Sequence, residues 1–180
     1  LTSAQFAVIS GVMIVCMVWD AINDLFMGII IENTHFKMGK FRPWILIGSI
    51  TNAVVIVCLF TIRPSGWGFV AFYSFFYLMW GMTYTMNDIA YWGVLPSLSS
   101  DSKTRDSLVT TMSVFVCIGQ FSVAGVVPIV IAGNAVNAYR IVALVVAIGL
   151  IAFQCLTAFG VKERERKEQV DKLSLRDMYH

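Results

Sequence analysis

Five apolar stretches, each about 20 residues or longer, take up most of this 180-residue chain. A helix that crosses a bilayer needs about 20 mainly apolar residues in a row. In hydrocarbon every backbone N–H and C=O must find a partner inside the spanning element, so stretches of this length form helices. They run over about 4–32, 43–62, 69–95, 108–132 and 139–161. Gly39 and Pro43, Pro64 and Gly66, Pro96 with the serines behind it, and Gly133 with Asn134 mark the connections. The composition agrees: 58% of residues are hydrophobic and 13% charged, against about 25% charged in soluble domains. The expected fold is all-α, a polytopic membrane bundle of five transmembrane helices over 1–161, followed by a charged segment over 162–180.

Orientation follows from the basic residues of the short loops, which stay on the cytoplasmic side. Lys37, Lys40 and Arg42 follow the first stretch, and Lys103 and Arg105 the third. Lys162, Arg164, Arg166, Lys167, Lys172 and Arg176 follow the fifth. With five spans these regions share one side, and only Arg63 and Arg140 fall on the other. The start of the chain is therefore expected outside and the tail in the cytoplasm of a plasma or inner membrane. In that tail Glu163 with Lys167, and Glu168 with Lys172, are favourable i,i+4 pairs, which fit a surface helix or a solvated linker. The chain opens at Leu1 and enters an apolar stretch almost at once. An odd number of spans with an external start is what a six-helix unit leaves when its first helix is taken away. A fragment of a longer protein is expected.

Cys16, Cys58, Cys117 and Cys155 all lie in apolar runs, none at metal-ligand spacing from another. They read as small buried hydrophobes. No phosphate-binding glycine loop occurs, and nothing suggests a nucleic-acid partner or an organic cofactor. The lipid bilayer is the first partner implied.

Against this background Asp20-Ala21-Ile22-Asn23-Asp24 stands out. A carboxylate at membrane depth costs roughly 2.5–3.5 kcal/mol on insertion scales. Asp20 lies about twelve residues from the cytoplasmic end, roughly 18 Å deep at 1.5 Å per residue, too far for so short a side chain to reach water. Asp20, Asn23 and Asp24 are spaced i, i+3, i+4 and share one helical face. Two carboxylates a turn apart repel, and a bound cation, a shared proton or a basic partner must relieve them. Carboxylate and amide oxygens suit hard cations such as Na⁺, Li⁺ or a hydrated proton. The third stretch supplies a complement: Thr85, Asp88 and Trp92 at i, i+3, i+7, with Tyr84 beside them. A threonine hydroxyl can join a cation's oxygen shell. A carboxylate beside an aromatic plate suits a sugar, whose hydroxyls need acceptors and whose C–H faces need a π surface. Thr51, Asn52, Gln120 and Thr157 are neutral and read as helix–helix hydrogen-bonding residues. Gly48, Gly81, Gly119 and Gly125 are expected to let helices approach closely, and Arg140 and His35 to sit at helix ends or loops.

The residues from Asp20 to Asp24, then Gly28, Asn33-Thr34 and Gly39-Lys40-Phe41-Arg42-Pro43-Trp44, resemble the glycoside–pentoside–hexuronide:cation symporters of the major facilitator superfamily. Gly81-Met82-Thr83-Tyr84-Thr85-Met86-Asn87-Asp88-Ile89-Ala90-Tyr91-Trp92 is similar to the fourth helix of that family, most like its melibiose permease branch. The resemblance covers nearly the whole chain, as the second to sixth of twelve helices. It implies two six-helix halves that move a sugar by alternating access around a central site. It also implies that Asp20, Asn23, Asp24 and Thr85 bind the coupling cation, that Asp88, Trp92 and Tyr84 contact the sugar, and that Gly39, Lys40 and Arg42 belong to a cytoplasmic gating loop. The missing first helix and C-terminal half of the same protein would complete the site. Two residues depart from the melibiose permease pattern: Ser113 stands where a sugar-binding arginine is expected, and Ala90 where a proline is.

Three other readings compete with a cation-coupled sugar symporter. An intramembrane aspartyl protease would pair Asp20 or Asp24 with Asp88, but the Gly-x-Gly-Asp signature is missing, since Asp88 follows Thr85-Met86-Asn87. A non-transporting sensor on the same scaffold would bind without net uptake. A related facilitator for a non-sugar solute is raised by Ser113.

Overall fold

The computed structural model describes residues 2–34, 36–99, 101–132 and 135–161. They form five helices: α1 (Ser3–Asn33), α2 (Arg42–Thr61), α3 (Trp67–Leu98), α4 (Ser102–Ile131) and α5 (Ala135–Gly160). The charged segment 162–180, His35, and Gly133 with Asn134 lie outside the described residues.

Local chemistry sets the ends. Thr2 and Gln5 close a capping box on α1: Gln5 N–H donates to Thr2 Oγ1 at 3.3 Å, and Thr2 N–H to Gln5 Oε1 at 2.9 Å. Gly39 (φ 115°) makes the turn that a side chain would strain, and Pro43 sits in the first turn of α2, where its missing N–H costs nothing. Asp101 caps α4, accepting from the Thr104 backbone N–H at 3.0 Å and its hydroxyl at 2.6 Å. Those bonds, the hydroxyl's first, hold the Asp101 carboxyl below the ordinary carboxylate range.

Several boundaries differ from expectation, and two of them have a clear local cause. Pro96 does not end α3, which runs on to Leu98; so near the C-terminus the proline spoils only the last turn, and Ser97 Oγ donates to Val94 O at 2.6 Å there. Lys103 and Arg105, expected in a loop, lie in the first turn of α4 because the Asp101 cap starts the helix before them. Four helices, α1, α2, α4 and α5, are long and apolar enough to cross a membrane. α3 has the length, 32 residues, but its tyrosines, tryptophans and Asp88 dilute its hydropathy.

Side-chain contacts fix the directions. Cys16 interacts with Tyr73, Asp20 lies over Gly81 and Asp24 interacts with Asp88. Both members of each pair advance together, so α1 and α3 run parallel. α2 packs between α3 and α5. It runs antiparallel to α3, with Asn52 Nδ2 donating to Thr83 Oγ1 at 2.9 Å and Asn87 Nδ2 to Ile45 O at 2.9 Å. It runs antiparallel to α5 too, where Arg42 donates to Ala158 O at one end and Arg140 to Thr61 O (3.1 Å) at the other. Lys37, Lys40, Arg42, Lys103 and Arg105 therefore gather at one end of the bundle, and Arg140 at the opposite end. Met27, Ile31, Ile45, Ala90, Val94 and Ala158 form the apolar core beneath the basic end. α4 touches α5 and α3 only lightly, and none of its residues is buried.

Small residues set the closest approach. A Cβ built on Gly48 would lie 2.8 Å from the Asn87 backbone N, and one on Gly81 2.7 Å from Asp20 Oδ1. Among the described residues Gly119 and Gly125 meet nothing within 4 Å, so no described helix approaches α4 at those turns. Of the neutral polar residues, Asn52 does bridge two helices. Thr51 and Thr157 instead bond carbonyls of their own helices, at Ile47 and Phe153. The pairing that sequence reasoning missed is Gln154 Nε2 to Asn87 Oδ1 at 3.1 Å, which ties α5 to α3 through the same amide that reaches α2.

Candidate functional site

The site is built where α1 and α3 run side by side. On α1, Asp20 is half-buried, Asn23 is 4% exposed, and Asp24 is exposed. On α3, Thr85 is 6% exposed, Asp88 is half-buried, and Tyr84 and Trp92 stand open. Their order along each helix decides what meets. Gly81 has no side chain, so the Asp20 carboxylate settles against the α3 backbone there. One turn on, Asp24 comes near enough to Asp88 and to Asp20 for their charges to interact. Trp92, one turn beyond, and Tyr84, one turn before, flank Asp88 closely enough to influence its carboxylate.

Asn23 and Thr85 are the buried polar residues of this helix pair beside the carboxylates. The Asn23 Nδ2 is sealed from solvent with no hydrogen-bond partner. Such an orphan costs about 1–3 kcal/mol. A half-turn of the amide brings its oxygen to that position. Among the described residues no three His, Cys, Asp or Glu side chains converge closely enough to hold a metal ion. Asn23 and Thr85 are the neutral oxygen-bearing side chains buried nearest the carboxylates on this helix pair.

The other expected residues lie apart. Gly39, Lys40 and Arg42 are at the basic end. Lys40 Nζ sits 5.3 Å from the Phe41 ring centroid, and Arg42 donates to Ala158 O and to Met38 O (3.4 Å). Ser113 is on the exposed face of α4 with its hydroxyl donating to Val109 O at 2.8 Å.

Long apolar helices that gather carboxylates, a buried amide and a buried hydroxyl along one helix pair suit a solute carrier. The sequence matches the family described as MFS/sugar transport protein over residues 3–180, and the chain belongs to that family. This is a family of transporters, not of enzymes. Relatives include the lactose permease of Lactobacillus helveticus, 29% identical over 196 aligned residues that cover 95% of this chain and 30% of the permease. The isoprimeverose transporter of Lactiplantibacillus pentosus is 26% identical over 92% of this chain and 36% of its own length. The uncharacterized symporter YjmB of Bacillus subtilis (strain 168) is 33% identical over 58% of this chain and 23% of its own length. The chain spans about 30% of the length of the lactose permease relatives it matches.

Proposed function

We propose that this chain supplies the cation site and part of the sugar site of a cation-coupled sugar or glycoside symporter working by alternating access. One observation carries this reading: α1 and α3 run parallel in a register that puts Asp20 over Gly81 and Asp24 near Asp88. Asp20, Asn23, Asp24 and Thr85 bind Na⁺, Li⁺ or H⁺. Asp88 accepts from sugar hydroxyls, Trp92 and Tyr84 offer aromatic faces, and the loop with Gly39, Lys40 and Arg42 closes the cytoplasmic end.

Coupling then has a physical basis. Without a cation, Asp20, Asp24 and Asp88 repel along one seam, and the pair of helices is loaded with like charge. A bound cation relieves that repulsion and leaves Asp88 free to accept from a sugar. Each ligand thereby tightens the other by the same factor, as linkage requires. The basic end is cytoplasmic on the positive-inside rule, so the Asp101 cap and the loop with Arg42 face the cytosol. Ser113 supports one second reading, a facilitator for a non-sugar solute. Its hydroxyl is tied to its own helix, and no arginine stands there to grip a sugar.

The test is uptake by the intact protein in sealed vesicles: a panel of mono- and disaccharides, with and without Na⁺, at two pH values. Concentrative, cation-dependent uptake of at least one sugar is expected. Cation-independent equilibration of every sugar would overturn the coupling, and uptake of non-sugar solutes alone would favour the second reading. A sharper probe is Gly81→Ala. Its new Cβ meets only the far end of the Asp20 side chain, which can swing aside, so thermal stability should hold. The cation concentration for half-maximal uptake should rise several-fold, because the displaced carboxylate is the one proposed to hold the ion.

A further inference from the structure

We infer that α3 carries an aromatic rail along which a pyranose ring travels between the end of the bundle remote from Lys40 and the seam at Asp88. This rests on the sugar-symport reading above and extends it from a binding point to a path. Tyr73, Tyr77, Trp80 and Tyr84 recur at steps of +4, +3 and +4, and Asp88 follows at +4, so all five share one face of the helix. Their rings touch in succession. Centroids lie 5.6 Å apart for Tyr73 and Tyr77, 5.7 Å for Tyr77 and Trp80, and 6.0 Å for Trp80 and Tyr84, with interplanar angles of 17°, 37° and 33°. Phe69 extends the row by one more stacked pair, 5.9 Å from Tyr73. From Tyr73 to Asp88 is fifteen residues, roughly 22 Å at 1.5 Å per residue.

A packing stripe would look different in two respects. First, the buried residues of α3 are Val70, Thr85, Ala90, Val94 and Leu95; none of the rail rings is among them. Tyr73 lies near Cys16 of α1, and from there on the rings stack on one another. Second, the row is rich in polar-tipped rings: three tyrosines and a tryptophan between Tyr73 and Tyr84. Phe72 and Phe76 pack together at 4.4 Å, and Phe75 joins Phe76 at 5.5 Å, at the border of the row. The tyrosines and Trp80 hold the rail. A hydroxyl turned to hydrocarbon costs about 2–7 kcal/mol, so a face that gathers tyrosine tips is one that meets water or a polar solute. Flat apolar faces edged by hydrogen-bonding groups fit the ring of a pyranose, which is apolar on its C–H face and polar around its rim. The row ends at Tyr84, and beyond it Asp88 and Trp92 wait with an acceptor and a last plate.

The experiment uses the intact protein in vesicles, with a panel of p-nitrophenyl glycosides and the parent sugars as probes. Trp80→Leu and Tyr77→Leu should each lower uptake kcat/KM by about tenfold, the scale of one lost ring contact. Equilibrium binding at the Asp88 seam, measured in de-energised vesicles, should change less than about twofold. Trp80→Phe and Tyr77→Phe keep a ring and should retain most of the rate. Leu variants that transport normally would overturn the rail, as would Phe variants as slow as their Leu counterparts. So would a drop in thermal stability with kcat/KM unchanged, the mark of a packing stripe. If Trp80→Leu fails to insert, Tyr77→Leu decides on the same criterion. If the wild-type protein takes up no glycoside, sugar symport itself fails; if it does and the variants match it, the rail alone fails.

Discussion

Asp24→Asn in the intact protein should abolish concentrative, cation-driven sugar uptake while downhill equilibration continues. Asp24 is exposed on this chain, so a neutral side chain of the same shape disturbs no packing. What it removes is the charge that interacts with both Asp20 and Asp88. A unit charge about 4 Å from a cation, at an effective dielectric near 20, is worth about 4 kcal/mol. That corresponds to roughly a thousandfold in cation affinity. Asp20 and Asp88 then no longer share a seam with a third carboxylate, so sugar can still bind and leak through. The measurement is labelled-sugar accumulation under an imposed Na⁺ or proton gradient, beside equilibrium exchange in its absence. Unchanged accumulation would remove this cluster from coupling.

Gly48→Ala should destabilise the described bundle because the clash it creates is with backbone. The added methyl would lie 2.8 Å from the Asn87 backbone N and 2.9 Å from its Cα. Backbone cannot swing aside as a side chain does, so α2 and α3 must separate. Overpacking of this kind costs about 1–3 kcal/mol. The separation also pulls on Asn87, whose amide joins α2 to α3 and α5. Gly68→Ala is the control, since its Cβ would meet Pro64 at an ordinary 3.7 Å. Thermal unfolding of purified protein in detergent should show a clear loss for Gly48→Ala and little or none for Gly68→Ala. Equal stability of the two would mean that the α2–α3 contact is looser than this geometry.

The helices were legible in the sequence because hydrocarbon leaves a long apolar stretch few alternatives. The seam was legible for the opposite reason: Asp20, Asp24 and Asp88 are costly enough at depth to announce themselves. Less costly residues stayed hidden. Asn87 is neutral and sits next to Asp88, and nothing in its spacing says that its amide spans three helices. Gly48 and Gly119 look alike in sequence, yet only Gly48 faces a neighbouring backbone. Pro96 signalled a break that its position in the final turn made unnecessary. The aromatic row on α3 was present as letters, but rings at helical spacing do not declare whether they stack on each other or into a partner.

The two arginine contacts on the α2–α5 pair have a mechanical consequence. Arg42 holds Ala158 O at one extremity and Arg140 holds Thr61 O at the other. A sliding motion between these helices must break both fastenings at once, whereas α4 hangs from the bundle by light contacts alone. Among the described residues the fastening is therefore unevenly shared: α2 and α5 are clasped at both extremities, while α4 rests on α5 and α3 by few contacts.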